Sequence, residues 1–122
     1  MATLSRIAVG RDGACITPAV LVFTACTVTG DECLNDSSTF FYFKNTNAAA
    51  RTVTFTAQKT SFHKEQLDDI PVANATIVIA LTVGEGIIRL PPAFYNDANG
   101  KVQLTYSAVT NLSVAALRLV DL

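Results

Sequence analysis

Chemistry needs titratable or nucleophilic groups within reach of one another, and this chain gathers them in only a few places. Its single histidine, His63, sits beside Lys64 and Glu65 and just before Asp68 and Asp69. That set could supply a general base and the carboxylate that orients it. No nucleophile elbow or glycine-rich oxyanion loop accompanies it in the sequence. The expected reading is a surface histidine among charges, and no enzymatic activity is expected. Asp31, Glu32 and Asp36 make an acidic trio, but a hard-cation loop needs more oxygens at defined spacing. A solvated loop is expected there. Cys15, Cys26 and Cys33 include no Cys-x-x-Cys pair, so they form neither a zinc site nor a full disulfide framework. Cys15 and Cys26 read as small buried hydrophobes, with a Cys26–Cys33 bridge as the alternative across a loop. No metal and no cofactor is expected.

The aromatic row Phe40-Phe41-Tyr42-Phe43 could form a stacking platform for bases or sugars. No basic residue interleaves it, so core filling from both faces of a strand is the expected role. The elements that would position these groups are strands. In Lys101–Ala108, Val102, Leu104, Tyr106 and Ala108 alternate with Lys101, Gln103, Thr105 and Ser107. A period of two marks a half-buried strand. Asn96-Asp97-Ala98-Asn99-Gly100 before it is turn chemistry. Thr110-Asn111 turns the chain again into Leu112–Val120, which is apolar on both faces and reads as buried on both. The two strands are expected to pair as a hairpin.

Further strands are expected at Val20–Val28, at Thr52–Ala57 with Val53 and Phe55 inward, and at Thr76–Val83 with Ile77, Ile79 and Leu81 on one face. Gly84-Glu85-Gly86 reads as a turn into Ile87–Leu90, and Pro91-Pro92 ends pairing. Gln58–Ala75 is irregular, with a helical turn over Phe62–Leu67; long loops of this kind often bind. With turn signals between strands and no amphipathic helix, the fold class is all-β: an antiparallel sandwich, jelly-roll or Ig-like, with little helix. The core is expected to include Val22, Phe41 or its neighbours, Val53, Phe55, Ile77, Ile79, Leu104, Tyr106 and Val114.

At 122 residues the chain is one domain. Residues 1–17 read as an extended N-terminal arm, because Leu4, Ile7 and Val9 are too few to build a core element and Gly10 and Gly13 loosen it, with a first strand of the same sandwich as the alternative; 18–122 form the sandwich. Charged residues are only 16% of the chain, against about 25% in ordinary domains, which suits either a protein that covers part of its surface with a partner or an ordinary β-domain in which Thr replaces charge on exposed strand faces. A net charge of −1 without a basic run speaks against nucleic acid as a partner. No apolar run approaches the ~18 residues of a membrane span, so no membrane is expected. Ala19–Phe23 before Cys26 reads as strand rather than signal, so the protein is expected to be made in the cytoplasm without secretion.

Two segments resemble the capsid decoration, or cement, proteins of tailed bacteriophages. The first is Asn35-Asp36-Ser37-Ser38-Thr39-Phe40 followed by Lys44-Asn45. The second, and nearer, is Pro92-Ala93-Phe94-Tyr95-Asn96-Asp97 with Gly100, Val102, Tyr106-Ser107 and Val114-Ala115-Ala116-Leu117. Together they span roughly Asn35 to Leu119. The resemblance implies a β-sandwich module on the capsid exterior, commonly a homotrimer, whose partner is the major capsid protein. The contact candidates are Leu4, Arg6, Ile7 and Arg11 on the arm, Phe62 and His63 in the long loop, and Pro92, Phe94 and Tyr95 before the turn. The competing reading, from a different class, is a carbohydrate- or cell-surface-binding β-sandwich of a phage tail or fibre, resting on an exposed aromatic platform with flanking Asn and Asp.

Overall fold

The structure, a computed structural model, describes residues 2–10, 23–58, 61–62, 70–71, 73–80 and 84–120. Val22, Arg11, Cys15 and His63, and the helical turn expected after Phe62, lie outside the described residues. The strands are β1 (Ala2–Leu4), β2 (Arg6–Gly10), β3 (Thr24–Ala25), β4 (Asp31–Leu34), β5 (Thr39–Asn45), β6 (Arg51–Phe55), β7 (Ser61–Phe62), β8 (Ile70–Pro71), β9 (Ala75–Ile79), β10 (Gly84–Ile88), β11 (Lys101–Tyr106) and β12 (Leu112–Val120). One four-residue helix, α1, spans Pro92–Tyr95.

The first sheet runs β1-β4-β11-β6-β9, and the second runs β10-β5-β12-β2 with β3 also on β12. Packed face to face, they make the expected all-β sandwich. The sheets are mixed rather than purely antiparallel, because β1 pairs parallel to β4 and β2 parallel to β12. Among the described residues β7 pairs with β8 alone.

Alternation decides which side chains enter the core. Along β5, Thr39, Phe41, Phe43 and Asn45 are buried while Phe40, Tyr42 and Lys44 are half-buried. Phe55 packs on Phe41 and Phe43, with ring centroids at 5.5 and 6.0 Å. Val53, Ile79, Leu104 and Val114 are buried around them, and Ile77 and Tyr106 pack against the cluster. The expected core residues that the structure describes are therefore all core or core-packed. Strand β12 is buried on both faces: Leu112, Val114 and Ala116 on one, Ala115 and Leu117 on the other.

Several local expectations are corrected. Strands β11 and β12 are not a hairpin: β11 pairs with β4 and β6, and β12 with β5 and β2. The connection, which turns at Asn111 with φ 60°, carries the chain from one sheet to the other, because both strands bury an apolar face against the same core. Gly84-Glu85-Gly86 is not a turn but the start of β10 on β5. Its glycines serve close packing, since a Cβ on Gly86 would lie 2.7 Å from Ile79 Cδ1. Of the early strand expected over Val20–Val28, the described residues 23–28 hold Thr24–Ala25. It ends where the Gly30 N–H bonds back to Thr27 O and Thr27 N–H to the Asp31 carboxylate. The loop expected over 29–36 contains β4 instead, and alternation there sends Asp31 inward and Glu32 outward. The acidic trio is thus split.

Over residues 2–10 the chain is extended, as expected, but is paired within the sandwich rather than standing off as an arm. Strand β1 edges the first sheet, Ser5 crosses over, and β2 edges the second. Leu4 is 7% exposed and belongs to the core cluster. One inward leucine at an edge completes a core that other strands have already built.

Candidate functional site

Turn chemistry and alternation bring two polar assemblies to the surface of this frame. The first joins the segments Asn35–Asn45 and Pro92–Leu119. Asn35 Nδ2 donates to Asn96 Oδ1 at 2.8 Å, and Asn96 Nδ2 donates to the Asn35 carbonyl at 2.6 Å. Asn96 Nδ2 also reaches Gly100 O, whose carbonyl accepts the Asn35 N–H. The turn beyond is held by Asp97 Oδ1, which accepts the N–H groups of Asn99 and Lys101. Those bonds, the Lys101 N–H first, pull the Asp97 carboxyl below its ordinary range. Gly100 closes the turn at φ 74°, a conformation that suits glycine. Farther along, β5 and β12 run together over seven registered pairs, Leu112–Asn45 to Arg118–Thr39.

The second assembly is a groove of about 460 Å³ at the sandwich end where Ser5 crosses between sheets. Arg6, Lys101 and Arg118 line it, with Thr3, Ser5 and Leu34. Arg6 Nη1 donates to Asp36 Oδ2 at 2.9 Å and to Thr39 Oγ1 at 3.2 Å. The Asp36 carboxyl is held well below the usual carboxylate range, first by the Ser38 hydroxyl, then by the Ser38 N–H and Arg6. Lys101 Nζ sits 3.1 Å from Glu32 Oε1. Glu32 also accepts from Gln103 Nε2 and from the Thr3 hydroxyl, and the Gln103 bond leads in lowering its pKa.

A third cluster is sealed in the core. Asp31 is fully buried; its Oδ2 accepts the Tyr106 O–H at 2.6 Å and the Thr27 N–H at 3.1 Å. Burial pushes the Tyr106 hydroxyl up. Burial, with a smaller contribution from the Asp31 charge, pushes the Cys26 thiol up to about 12; burial pushes Cys33 up to about 11. Both are free thiols, so no Cys26–Cys33 bridge forms. Thiols this far from ionisation are poor nucleophiles. Among the described residues no group of His, Cys, Asp or Glu could hold a metal ion.

The contact candidates scatter. Leu4 is corrected: its side chain is committed to the core. Arg6 lines the groove but is already paired with Asp36. Ile7 is half-buried on β2, opposite Leu117. Pro92, Phe94 and Tyr95 are half-buried on α1, and the Tyr95 hydroxyl donates to Ala73 O at 3.0 Å. Phe62 is described only as the partner of Ile70 in the β7–β8 ladder; Arg11 and His63 lie outside the described residues. Sequence reasoning missed Arg118 and Lys101 as site residues. An arginine interrupting the apolar run of β12 was the available signal.

The outer aromatic row is also occupied: Phe23 packs edge-on against Tyr42, Arg89 lies 5.8 Å over Phe40, and the Tyr42 hydroxyl donates to Glu85 at 2.8 Å. No helix among the described residues is long and apolar enough to cross a membrane. The fold and its surface sites define a β-sandwich module. No family model, curated protein or solved structure matches the chain.

Proposed function

We propose that this protein is a capsid decoration protein, binding the outside of an assembled phage head and strengthening it across subunit boundaries. The observation that carries the reading is the Asn35–Asn96 lock. The two segments with the decoration-protein resemblance lie far apart in sequence, yet they bond side chain to side chain and then share the β5–β12 ladder. The resembling residues thus build one structural frame. The partner is the major capsid protein, and the contact surface includes Ile7 on the edge strand β2 and the Pro92–Tyr95 turn. Exposed apolar side chains at Val28, Val78 and Ile87 suit a surface that is covered in the assembled particle. A protein that binds only the assembled shell stabilises it by mass action. Display as a homotrimer multiplies weak contacts through effective concentration.

The test is co-sedimentation of purified protein with undecorated heads of its source particle. Saturable binding, with heads that resist thermal disruption better, is expected; absence of binding at micromolar protein refutes the proposal. Sedimentation velocity of the free protein tests the trimer. A second reading, carbohydrate binding, is favoured by a shallow recess of about 220 Å³ lined by Tyr42, Glu85, Gly86 and Ile87. Retention on a glycan array that is lost in Tyr42→Ala would favour it over the capsid.

A further inference from the structure

The groove at the Ser5 crossing holds more positive charge than the described residues neutralise. Arg118 stands opposite Thr39 on β5 and Ala8 on β2. This is the β12 register that faces the core at Val114 and Ala116. Arg6 pairs with Ala116 on the same face and hydrogen-bonds Thr39, so the two arginines flank Thr39 at the rim of the core. Arg6 is matched by Asp36 and Lys101 by Glu32. Arg118, half-buried, has no carboxylate partner among the described residues. A guanidinium drawn partly out of water beside a second one calls for an anion, and its planar fork suits a carboxylate held by two parallel bonds.

The geometry points to a binding site for an acidic peptide segment, with an Asp or Glu carboxylate from that segment seated on Arg118. Three features favour a peptide over a small anion. The groove is roomy, at about 460 Å³. Its wall mixes the exposed apolar Leu34 with the Thr3 and Ser5 hydroxyls, as a chain with alternating side chains would need. Among the described residues β1 and β2 lie at the ends of their sheets and supply Thr3, Leu4 and Arg6 to its wall, and an end strand can take an extended segment beside it. This inference concerns the chemistry of the groove and stands whether or not the partner is a capsid.

Capped tetraglutamate is the probe, titrated into the full-length ¹⁵N-labelled protein at low salt, with capped tetraglutamine and inorganic phosphate as comparisons. The expected result is amide shifts confined to the region of Thr3, Ser5, Arg6 and Arg118, fading as salt is raised. Arg118→Met, which keeps the apolar stem, should bind about tenfold more weakly while the spectrum elsewhere stays native. If Arg118→Met does not fold, Arg118→Lys carries the test: it keeps the charge and loses the fork, and undiminished binding overturns the assignment. Equal shifts from tetraglutamine overturn it, because charge would then be irrelevant. Equal binding of phosphate overturns the peptide in favour of a small-anion site, and an unmoved spectrum removes the site altogether.

Discussion

Asn96→Ala is the substitution that probes the frame most directly. It removes two short side-chain bonds, Asn35 Nδ2 to Asn96 Oδ1 at 2.8 Å and Asn96 Nδ2 to Asn35 O at 2.6 Å, and a longer one to Gly100 O at 3.3 Å. Each good hydrogen bond is worth about 0.5–1.5 kcal/mol net, and stranding a buried polar group costs about 1–3 kcal/mol. Asn35 is 5% exposed and its Oδ1 already lacks a partner among the described residues. After the substitution Asn35 Nδ2 keeps a long bond to Leu90 O at 3.4 Å, and water is poorly placed to repair the rest. The expected destabilisation is about 2–4 kcal/mol, a large part of the roughly 5–15 kcal/mol that holds a domain folded. Urea unfolding followed by tyrosine fluorescence and circular dichroism measures it. Asn99→Ala is the control, because only the Asn99 backbone N–H bonds to Asp97; it should change stability by less than about 0.5 kcal/mol. Asn35→Ala and the double variant complete a cycle, and the double should cost less than the sum of the singles by at least about 1 kcal/mol. A loss below about 1 kcal/mol for Asn96→Ala, or strict additivity, would refute the lock.

Phe55→Ala, at the meeting of Phe41 and Phe43, should cost about 3–5 kcal/mol by chemical denaturation. Asp36 has a folded pKa below its unfolded one, so its bonds stabilise the fold above the unfolded pKa and are lost as pH falls toward the folded one. Asp36→Asn should therefore lower the melting temperature at pH 7, and the difference from the parent should shrink as pH falls below the ordinary carboxylate range toward the folded pKa; a constant difference from pH 7 down to about pH 2 would contradict it. Cys26 and Cys33, raised to about 12 and about 11, should react with a disulfide reagent at pH 8 far more slowly in the native protein than in urea; mass spectrometry of the labelled peptides reads each site separately.

Much of the sandwich was legible in the residues because alternation is a local property of the pleat. Val53 and Phe55, and Val102 and Leu104, each turn inward two by two, whatever strand lies alongside; in the aromatic row of β5, apolar on both faces, only the fold selects Phe41 and Phe43. Gly100 and Asn111 marked turns for equally local reasons, both with positive φ. The same local rules misread Gly84-Glu85-Gly86. Glycines that serve a tight approach, Gly86 to Ile77 and Ile79 and Gly84 to the Ala80 backbone, carry the same composition signal as glycines that turn a chain. They also misread residues 2–10, whose few apolar positions suffice once a core exists for Leu4 to complete.

What the sequence determined by itself, then, is which side chains of an alternating strand share a face, and the turns at Gly100 and Asn111, since both follow from neighbours a few residues away. Only the tertiary structure decided that β11 and β12 belong to opposite sheets. It also decided that Asn35 would meet Asn96, that Asp31 and Glu32 would part company, and that Arg6, Lys101 and Arg118 would line one groove. The physical reason is that ladder hydrogen bonds form between backbones and are nearly blind to side-chain identity. Strand partners are chosen by how all the apolar faces can be buried at once, and that is a property of the whole chain.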